Sequence, residues 1–294
     1  MNMRITILMS GWLSVVYLSA QQVDYQWWNE RHGWDGVSPF EKYLNLEPGR
    51  TGPNALPVPE PVFFLWDSMH YVTNNFQYHY TSGENTASLK LGLHYHIDRR
   101  VVLNVWMVAA EYFASNEIVR DFRAARTYEG RGWATGDLYV ETHWHILRSH
   151  KNIPDITLRT GLKTASGNRV EDVRFTDTPG YYFDLNFRKL YRYTNWQIQW
   201  YGMTGFYAYQ TFRTDHKQND AFLYGVGART QNKSCGYDIH IRGYMGYLSE
   251  YDKPIVLSIS TFLFLRKDLL ILRMERGNKS WPFTAIYIAY NYRF

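Results

Sequence analysis

The sequence predicts an all-β protein: a transmembrane up-and-down antiparallel β-barrel of about twelve strands, preceded by an irregular N-terminal plug or cap segment. From about residue 76 onward the hydrophobic period is two, as in strands. Most runs approach the length of about 9–11 residues that a tilted strand needs to cross a bilayer. The breaks between runs are alternately short and long, which is typical of a barrel with tight turns at one end and loops at the other.

Each predicted strand has one apolar and one polar face. In the second run, Leu91, Leu93 and Tyr95 alternate with His94 and His96. A soluble sheet over a dry core would show similar alternation. Because the polar faces carry charges and histidines, we expect the apolar faces to meet lipid and the charged faces to line a lumen. The predicted strands span residues 75–82, 87–97, 101–113, 135–147, 155–164, 181–191, 196–211, 221–230, 237–248, 255–265, 269–275 and 283–294.

Composition excludes some classes of function. Aromatic residues make up 18% of the chain although its mean hydropathy is −0.42, so the protein is aromatic-rich yet hydrophilic. The net charge is +5, but the 32 basic and 27 acidic residues are interleaved and form no basic stripe. Nucleic acid is therefore not a predicted partner. A single cysteine, Cys235, excludes an internal disulfide framework.

Residues 1–20 predict a secretory signal peptide, because Arg4 precedes an apolar stretch that ends in the small residues Ser19 and Ala20. A buried N-terminal helix or strand is the alternative. Beyond this stretch no apolar run approaches the roughly 20 residues of a membrane helix. An exported chain with residues 75–294 in a barrel predicts a location in the outer membrane.

The chain ends on "AYNYRF", which puts Tyr290, Tyr292 and Phe294 on one strand face. In a closed barrel the last strand pairs with the first, so this face meets lipid or the membrane interface. The ending and the export signal resemble Gram-negative outer-membrane β-barrels, whose last strand closes on a C-terminal Phe. That resemblance implies that these three residues are an insertion signal and that the insertion machinery, outer-membrane lipids and lipopolysaccharide are partners. "GPNALPVP" (52–59) and "FTDTPGYYFD" (175–184) resemble outer-membrane proteins of Bacteroidota.

Residues 21–74 are rich in Trp, Pro and Gly and lack alternation. Because Trp side chains demand burial, we expect Trp27, Trp28, Trp34 and Trp66 to pack in a periplasmic plug or cap. A partner-binding arm is the alternative, and an envelope protein complex is the candidate partner. Ser38 and Pro39 predict the N-cap and first residue of one short helix.

The inward faces collect charged side chains and histidines. Arginine–carboxylate pairs across strands would knit the interior, whereas a cation-rich constriction would select small polar or anionic solutes. The inward set that we expect at a constriction is Lys90, His94, His96, Glu141, His143, His145, Arg159, Lys163, Asp184, Arg188, Asp238, His240, Arg242, Arg273, Glu275 and Arg293.

"HYH" (94–96) and "HWH" (143–145) each put two imidazoles on one strand face, but neither matches a fixed zinc spacing. We therefore predict hydrogen-bonded or solvated histidines, no metal and no cofactor. Loop 114–134 carries Arg120, Arg123, Arg126 and Arg131. These arginines would either be solvated, which we favour, or grip lipopolysaccharide phosphates.

The predicted function is a narrow, porin-like channel or facilitator for transport of small polar or anionic solutes. A non-conducting accessory subunit of an outer-membrane complex is one alternative. A lipid-modifying enzyme of the lipase or deacylase type is another. No catalytic residue is predicted, because the lipid face offers no Ser and His set at matching heights.

Overall fold

Twelve strands close into an antiparallel barrel in the computed structural model, which describes residues 24–62, 70–150 and 153–294. The predicted signal peptide and Trp66 lie outside the described residues. The first barrel strand pairs with both the second and the last, so no edge remains. The predicted fold class is confirmed, and each predicted run overlaps one barrel strand. The strands are β1 Tyr71–Thr81, β2 Glu84–His96, β3 Val101–Ser115, β4 Arg131–Ala134, β5 Leu138–Leu147, β6 Asp155–Lys163, β7 Gly180–Arg192, β8 Gln197–Gln210, β9 Gln218–Gln231, β10 Cys235–Met245, β11 Pro254–Leu265, β12 Asp268–Lys279 and β13 Phe283–Arg293.

The segment between β3 and β5 departs from the predicted loop. It contains helix α2, Glu117–Arg123, and the extra strand β4, which pairs only with β3. Asn116 caps α2 by accepting a hydrogen bond from the Val119 amide at 3.0 Å. Neither element shows hydrophobic alternation, because both are stabilised by contacts with distant parts of the chain.

The two ends of the barrel differ. At the termini end, where β1 begins and β13 stops, the Phe294 amide donates to the His70 carbonyl at 3.1 Å. Short turns such as 232–234 and 266–267 lie at this end. The loop end carries the long connections 116–137 and 164–179, although only residues 82 and 83 join β1 to β2 there.

The apolar strand faces point outward. Ile239, Ile259 and Ile288 are exposed at mid-height, whereas aromatic residues are exposed near both ends, as at membrane interfaces. Tyr290, Tyr292 and Phe294 lie on this outer face at the termini end. Among the described residues, no helix is long and apolar enough to cross a membrane.

The N-terminal segment divides into two parts. The cap segment, residues 24–50, contains helix α1, Gln26–His32, and a short 3₁₀ helix, Phe40–Tyr43. The latter lies where one short helix is predicted, but Pro39 is its N-cap, since the Ser38 hydroxyl donates to Asp35 instead. Helix α1 was not predicted from the sequence.

The cap segment packs on the loop end. Trp28 is fully buried, and its indole N–H donates to the Ala124 carbonyl at 2.8 Å. The Asn45 amide donates to the Arg123 carbonyl at 3.0 Å, and the Gly49 amide to the Tyr251 carbonyl at 3.0 Å. The sequence predicts a plug or cap on the periplasmic side, where short turns are expected in an outer-membrane barrel, whereas these contacts put residues 24–50 at the loop end.

The plug segment, residues 51–62, runs from the cap into the lumen. Ala55, Leu56 and Val58 are buried there in one apolar cluster with inward-facing aromatic residues. The Tyr244 hydroxyl donates to the Leu56 carbonyl at 3.1 Å, and the Val62 amide donates to Asn186 Oδ1 at 2.8 Å. The plug segment therefore occupies part of the lumen.

Candidate functional site

The loop end of the lumen is sealed by buried charges, which we call the mouth network. Arg174, from the β6–β7 loop, donates to Glu84 and to Glu111 Oε1, the latter at 2.7 Å. Arg123 of α2 donates to Glu84 Oε1 at 3.0 Å. The plug joins this network, because Asn54 Nδ2 donates to Glu111 Oε2 at 2.6 Å. Two loops and the plug thus share two wall carboxylates.

A β-bulge explains why Glu111 was missed in the sequence. In β3, Trp106 and Val108 face inward, so strict alternation would place Glu111 outside. Lys90 pairs with Val108 and Leu89 with Ala110, which leaves Ala109 unpaired and reverses the alternation beyond it. Glu111 therefore turns into the lumen and is fully buried.

Alongside the plug segment lies a cavity of about 340 Å³, which we call the chamber and whose lining includes Trp281 and Phe283 at the loop end. Its volume lies in the range of small-molecule sites, about 300–1,000 Å³. Its lining reaches Tyr71 and Arg293, the first residue pair of the β1–β13 ladder. The predicted site residues in its wall are Lys90, His94, Glu141, His143, Arg159, Arg242, Arg273, Glu275 and Arg293.

The other predicted site residues lie inside the barrel but outside this lining. Lys163 is fully buried beneath the loops, 2.8 Å from Asp137 Oδ2. Arg188 contacts Asp155 at 2.8 Å near the termini end. The remaining residues in this group are His96, His145, Asp184, Asp238 and His240.

Glu141 organises one side of the chamber. Its carboxylate accepts hydrogen bonds from Trp106 Nε1 at 2.8 Å, Asn104 Nδ2 at 3.1 Å and the Tyr182 hydroxyl at 2.5 Å, and His143 Nε2 lies 2.8 Å away. With these partners the buried carboxylate is satisfied, and we assign it a positioning role. It fixes the orientation of the Trp106 ring.

Trp106 in turn holds a lysine. Tyr139 stacks on one face with ring centroids 3.8 Å apart, and Lys90 Nζ lies 3.4 Å from the Trp106 centroid. This cation–π contact is stronger where water is scarce. Among the described residues, no carboxylate lies within ion-pair distance of Lys90, so its charge remains available to the chamber.

The two histidine pairs approach each other across β3. His96, Val102 and His143 share one row of the sheet, and the His94 and His143 ring centroids are 6.3 Å apart. Nevertheless, no group of three or more His, Cys, Asp or Glu within the described ranges is arranged to hold a metal ion.

Asp238, His240 and Ser258 lie together on β10 and β11, which invites comparison with a catalytic triad. His240 Nδ1 is 2.9 Å from Asp238 Oδ1, but His240 Nε2 faces Arg242 Nη1 at 2.8 Å. Ser258 Oγ has no hydrogen-bond partner among the described residues. Because the histidine faces an arginine, this set does not form a nucleophile–base pair.

Two of the four loop arginines contact tryptophans of the cap segment. Arg126 lies 4.6 Å from the Trp34 ring centroid, and Arg120 lies 4.9 Å from that of Trp27. Arg123 belongs to the mouth network, whereas Arg131 is exposed. The expectation of a solvated loop thus fails for Arg120 and Arg126, which contact the cap, and for Arg123, which is buried in the mouth network.

Comparison with known proteins identifies the class by fold. No protein-family model matches the chain, and no curated protein matches it. The COG4313 outer membrane channel from Pseudomonas putida F1 is 14% identical, with 82% of this chain and 97% of that chain covered and a TM-score of 0.55. LpxR from Salmonella typhimurium is 9% identical, with 76% and 100% covered and a TM-score of 0.49. The NanC porin is 9% identical, with 76% and 100% covered and a TM-score of 0.48.

At 14% identity, the similarity to the Pseudomonas putida channel is evidence for a shared fold only. The chain has the fold of an outer-membrane β-barrel, and this fold supports a location in the outer membrane.

Proposed function

We propose that the barrel is a gated channel or facilitator for small polar or anionic solutes. The observation that carries this proposal is the charge of the chamber. Among the described residues of its lining, six are Lys or Arg and three are Glu. An excess of positive charge in a narrow lumen attracts anions and repels cations.

The plug segment is the proposed gate. It is joined to the wall by separate contacts at Asn54, Leu56, Glu60 and Val62, and its apolar side chains pack against inward-facing aromatic residues. We expect passage of solute to require a shift of this segment, because it occupies the lumen beneath the cap segment. The proposed channel is therefore closed in the present arrangement.

A disulfide between plug and wall tests the gate. Asn54 Nδ2 lies 3.2 Å from Ser88 Oγ, so Asn54→Cys with Ser88→Cys, in a Cys235→Ser background, places two thiols close together. In planar bilayers the oxidised protein should stay at baseline, and reduction should allow transient anion-preferring openings, because the plug is then free to shift. Ser88→Cys alone is the control and should not respond to reductant. Silence of the reduced protein and of a variant lacking residues 24–62 would reject the channel.

Lys90 tests the selectivity. Lys90→Gln removes a chamber charge that lacks a carboxylate partner among the described residues, so the reversal potential in a KCl gradient should move towards zero. Lys233→Gln in the exposed β9–β10 turn is the matched control and should leave the potential unchanged. An equal shift in both variants would contradict selection by the chamber.

A non-conducting accessory subunit of an envelope complex is the second candidate. The packing of the plug favours it, because the plug contributes to a continuous apolar cluster with the barrel wall. Copurification from native membranes tests it: a stoichiometric partner together with silent bilayers would support this role.

We further propose export by residues 1–20 in a Gram-negative bacterium, with Bacteroidota as the expected source. Residues 21–74 would form a plug and cap. Lipids, lipopolysaccharide and the insertion machinery would be partners, with Tyr290, Tyr292 and Phe294 read by that machinery. Their exposed outer-face positions support the last proposal.

A further inference from the structure

Two wall arginines share two carboxylates at the top of the chamber. Arg242 of β10 donates from Nη2 to both oxygens of Glu275, at 2.9 and 3.1 Å. Arg273 of β12 lies 3.5 Å from Glu275 Oε1 and donates to Glu60 Oε1 at 2.6 Å. Three members of this cluster belong to the barrel wall, whereas Glu60 comes from the plug segment.

The two carboxylates differ in how firmly they are held. Glu275 is buried, with a side-chain exposure of 2%, and also accepts from the Tyr287 hydroxyl at 2.9 Å. The Glu60 side chain is 38% exposed and stands between two prolines on a segment without strand pairing. Arg242 Nη2 lies 4.0 Å from Glu60 Oε1, and Lys90 is near enough to act on the same carboxylate electrostatically. Glu60 is therefore the exchangeable member of the cluster.

Without Glu60, this cluster would hold three cations, Arg242, Arg273 and Lys90, and one carboxylate, Glu275. Surplus charge in a water-poor interior is costly, since a buried ion without its partner destabilises the native state strongly. The arginines cannot relieve this cost by losing a proton. An anion from solution would therefore be drawn to the place that Glu60 vacates.

We infer that Arg273, Arg242 and Lys90 form a binding site for the carboxylate of a small solute, and that Glu60 occupies this site as an internal ligand while the solute is absent. A solute carboxylate that takes the place of Glu60 breaks the ion pair between the plug segment and Arg273. Binding and plug release are thereby coupled. This inference rests on the proposed channel and names its substrate class and its trigger.

The chemistry of the cluster favours a carboxylate. Glu60 itself shows that a carboxylate fits the donors of Arg273, and planar guanidinium groups match carboxylate geometry well. A chamber of about 340 Å³ admits a molecule of a few carbon atoms beside the plug. A dicarboxylate can engage the arginines and Lys90 together, so succinate is the probe of choice.

Binding of succinate to the full mature chain in detergent, measured by calorimetry, tests the site without reference to conductance. Glu60→Ala should bind succinate about tenfold more tightly than the unmodified chain, because the internal competitor is gone. Glu30→Ala, at an exposed carboxylate on α1, should leave the affinity unchanged. Arg273→Met combined with Glu60→Ala should abolish binding, and heat-modifiability on gels verifies that each barrel is folded.

The outcomes separate this inference from the channel proposal. Tighter binding in Glu60→Ala with silent bilayers would uphold the site and reject the channel. An anion current without succinate binding in either protein would uphold the channel and overturn the site. Equal enhancement for sulfate and succinate would overturn the carboxylate class. Equal affinity in Glu60→Ala and the unmodified chain would overturn the role of Glu60 as an internal ligand.

Discussion

At the scale of residues, the buried charges in the lumen have two roles. Arg159 and Asp184 lie 2.8 Å apart and knit neighbouring strands, and Lys163 with Asp137 does the same beneath the loops. Lys90 and Glu60 face the chamber, and Lys90 has no carboxylate within ion-pair distance among the described residues. The pairing role that the sequence predicts is thus seen for the first two pairs, whereas the selecting role is what we propose for Lys90.

Replacement of Arg174 tests whether the buried ion pairs of the lumen stabilise the fold. It is fully buried and contacts Glu84, Glu111 and Thr86, so Arg174→Leu leaves two wall carboxylates short of a partner. Loss of one member of a buried pair costs about 3–5 kcal/mol, and we expect the lower end because Arg123 still contacts Glu84. Urea unfolding in detergent measures the change in the free energy of unfolding.

Arg131 is the matched control for that experiment. Its contact with Glu129 is 3.6 Å long and exposed, so Arg131→Leu should cost less than about 1 kcal/mol. A loss from Arg174→Leu as small as this would contradict a sealing role for the mouth network.

At the scale of elements, the strands could be predicted from sequence and the plug contacts could not. A strand between lipid and a charged lumen must alternate, so its period is visible in the residues themselves. The plug has no period, because its partners lie far away in sequence: Glu60 contacts Arg273, and Asn54 contacts Glu111. Glu111 was hidden by the bulge at Ala109. The sequence does contain one signal for a special role of Glu60, because this charged residue stands between two prolines in "PEP".

The short 3₁₀ helix Val170–Asp172 connects the β6–β7 loop to the cap segment, and Asp172 makes this contact sensitive to pH. Burial raises the pKa of Asp172 from 3.8 to about 6, although the Arg169 guanidinium, 2.8 Å away, opposes that shift. The adjacent Val173 packs with Trp28 of the cap. The Asp172 carboxyl of the docked loop therefore keeps its proton up to a higher pH than the same carboxyl in the undocked loop.

The sign of the pH dependence follows from this difference. Below the ordinary pKa both states are protonated, and as pH rises from about 4 to about 6 only the undocked state loses its proton. Docking should weaken across that window and then level off. Hydrogen exchange of residues 169–175, corrected for intrinsic rates, should show this trend, and Asp172→Asn should remove it. The exposed Asp215→Asn is the control, and a trend that persists in Asp172→Asn would assign it to another group.

At the scale of the whole molecule, the chain crosses its own barrel. Strand β1 begins at the termini end, yet residues 24–50 pack against loops at the other end, with residues 51–62 in the lumen between them. In the expected orientation the short turns face the periplasm and the cap segment faces outward. A cap on the periplasmic side would require the barrel to be inserted the other way round.

Three single cysteines in a Cys235→Ser background test this path in intact cells. Val37 is 90% exposed on the cap, Asp215 lies in a loop-end connection, and Asp98 lies in a termini-end turn. Because cap and loop end share one side of the membrane, Val37→Cys and Asp215→Cys should react alike with an impermeant maleimide, and Asp98→Cys should behave oppositely. Reaction of the first two in intact cells would place the cap outside. If Val37→Cys instead followed Asp98→Cys, the N-terminal segment would not thread the lumen in the membrane, and plug gating would lose its basis.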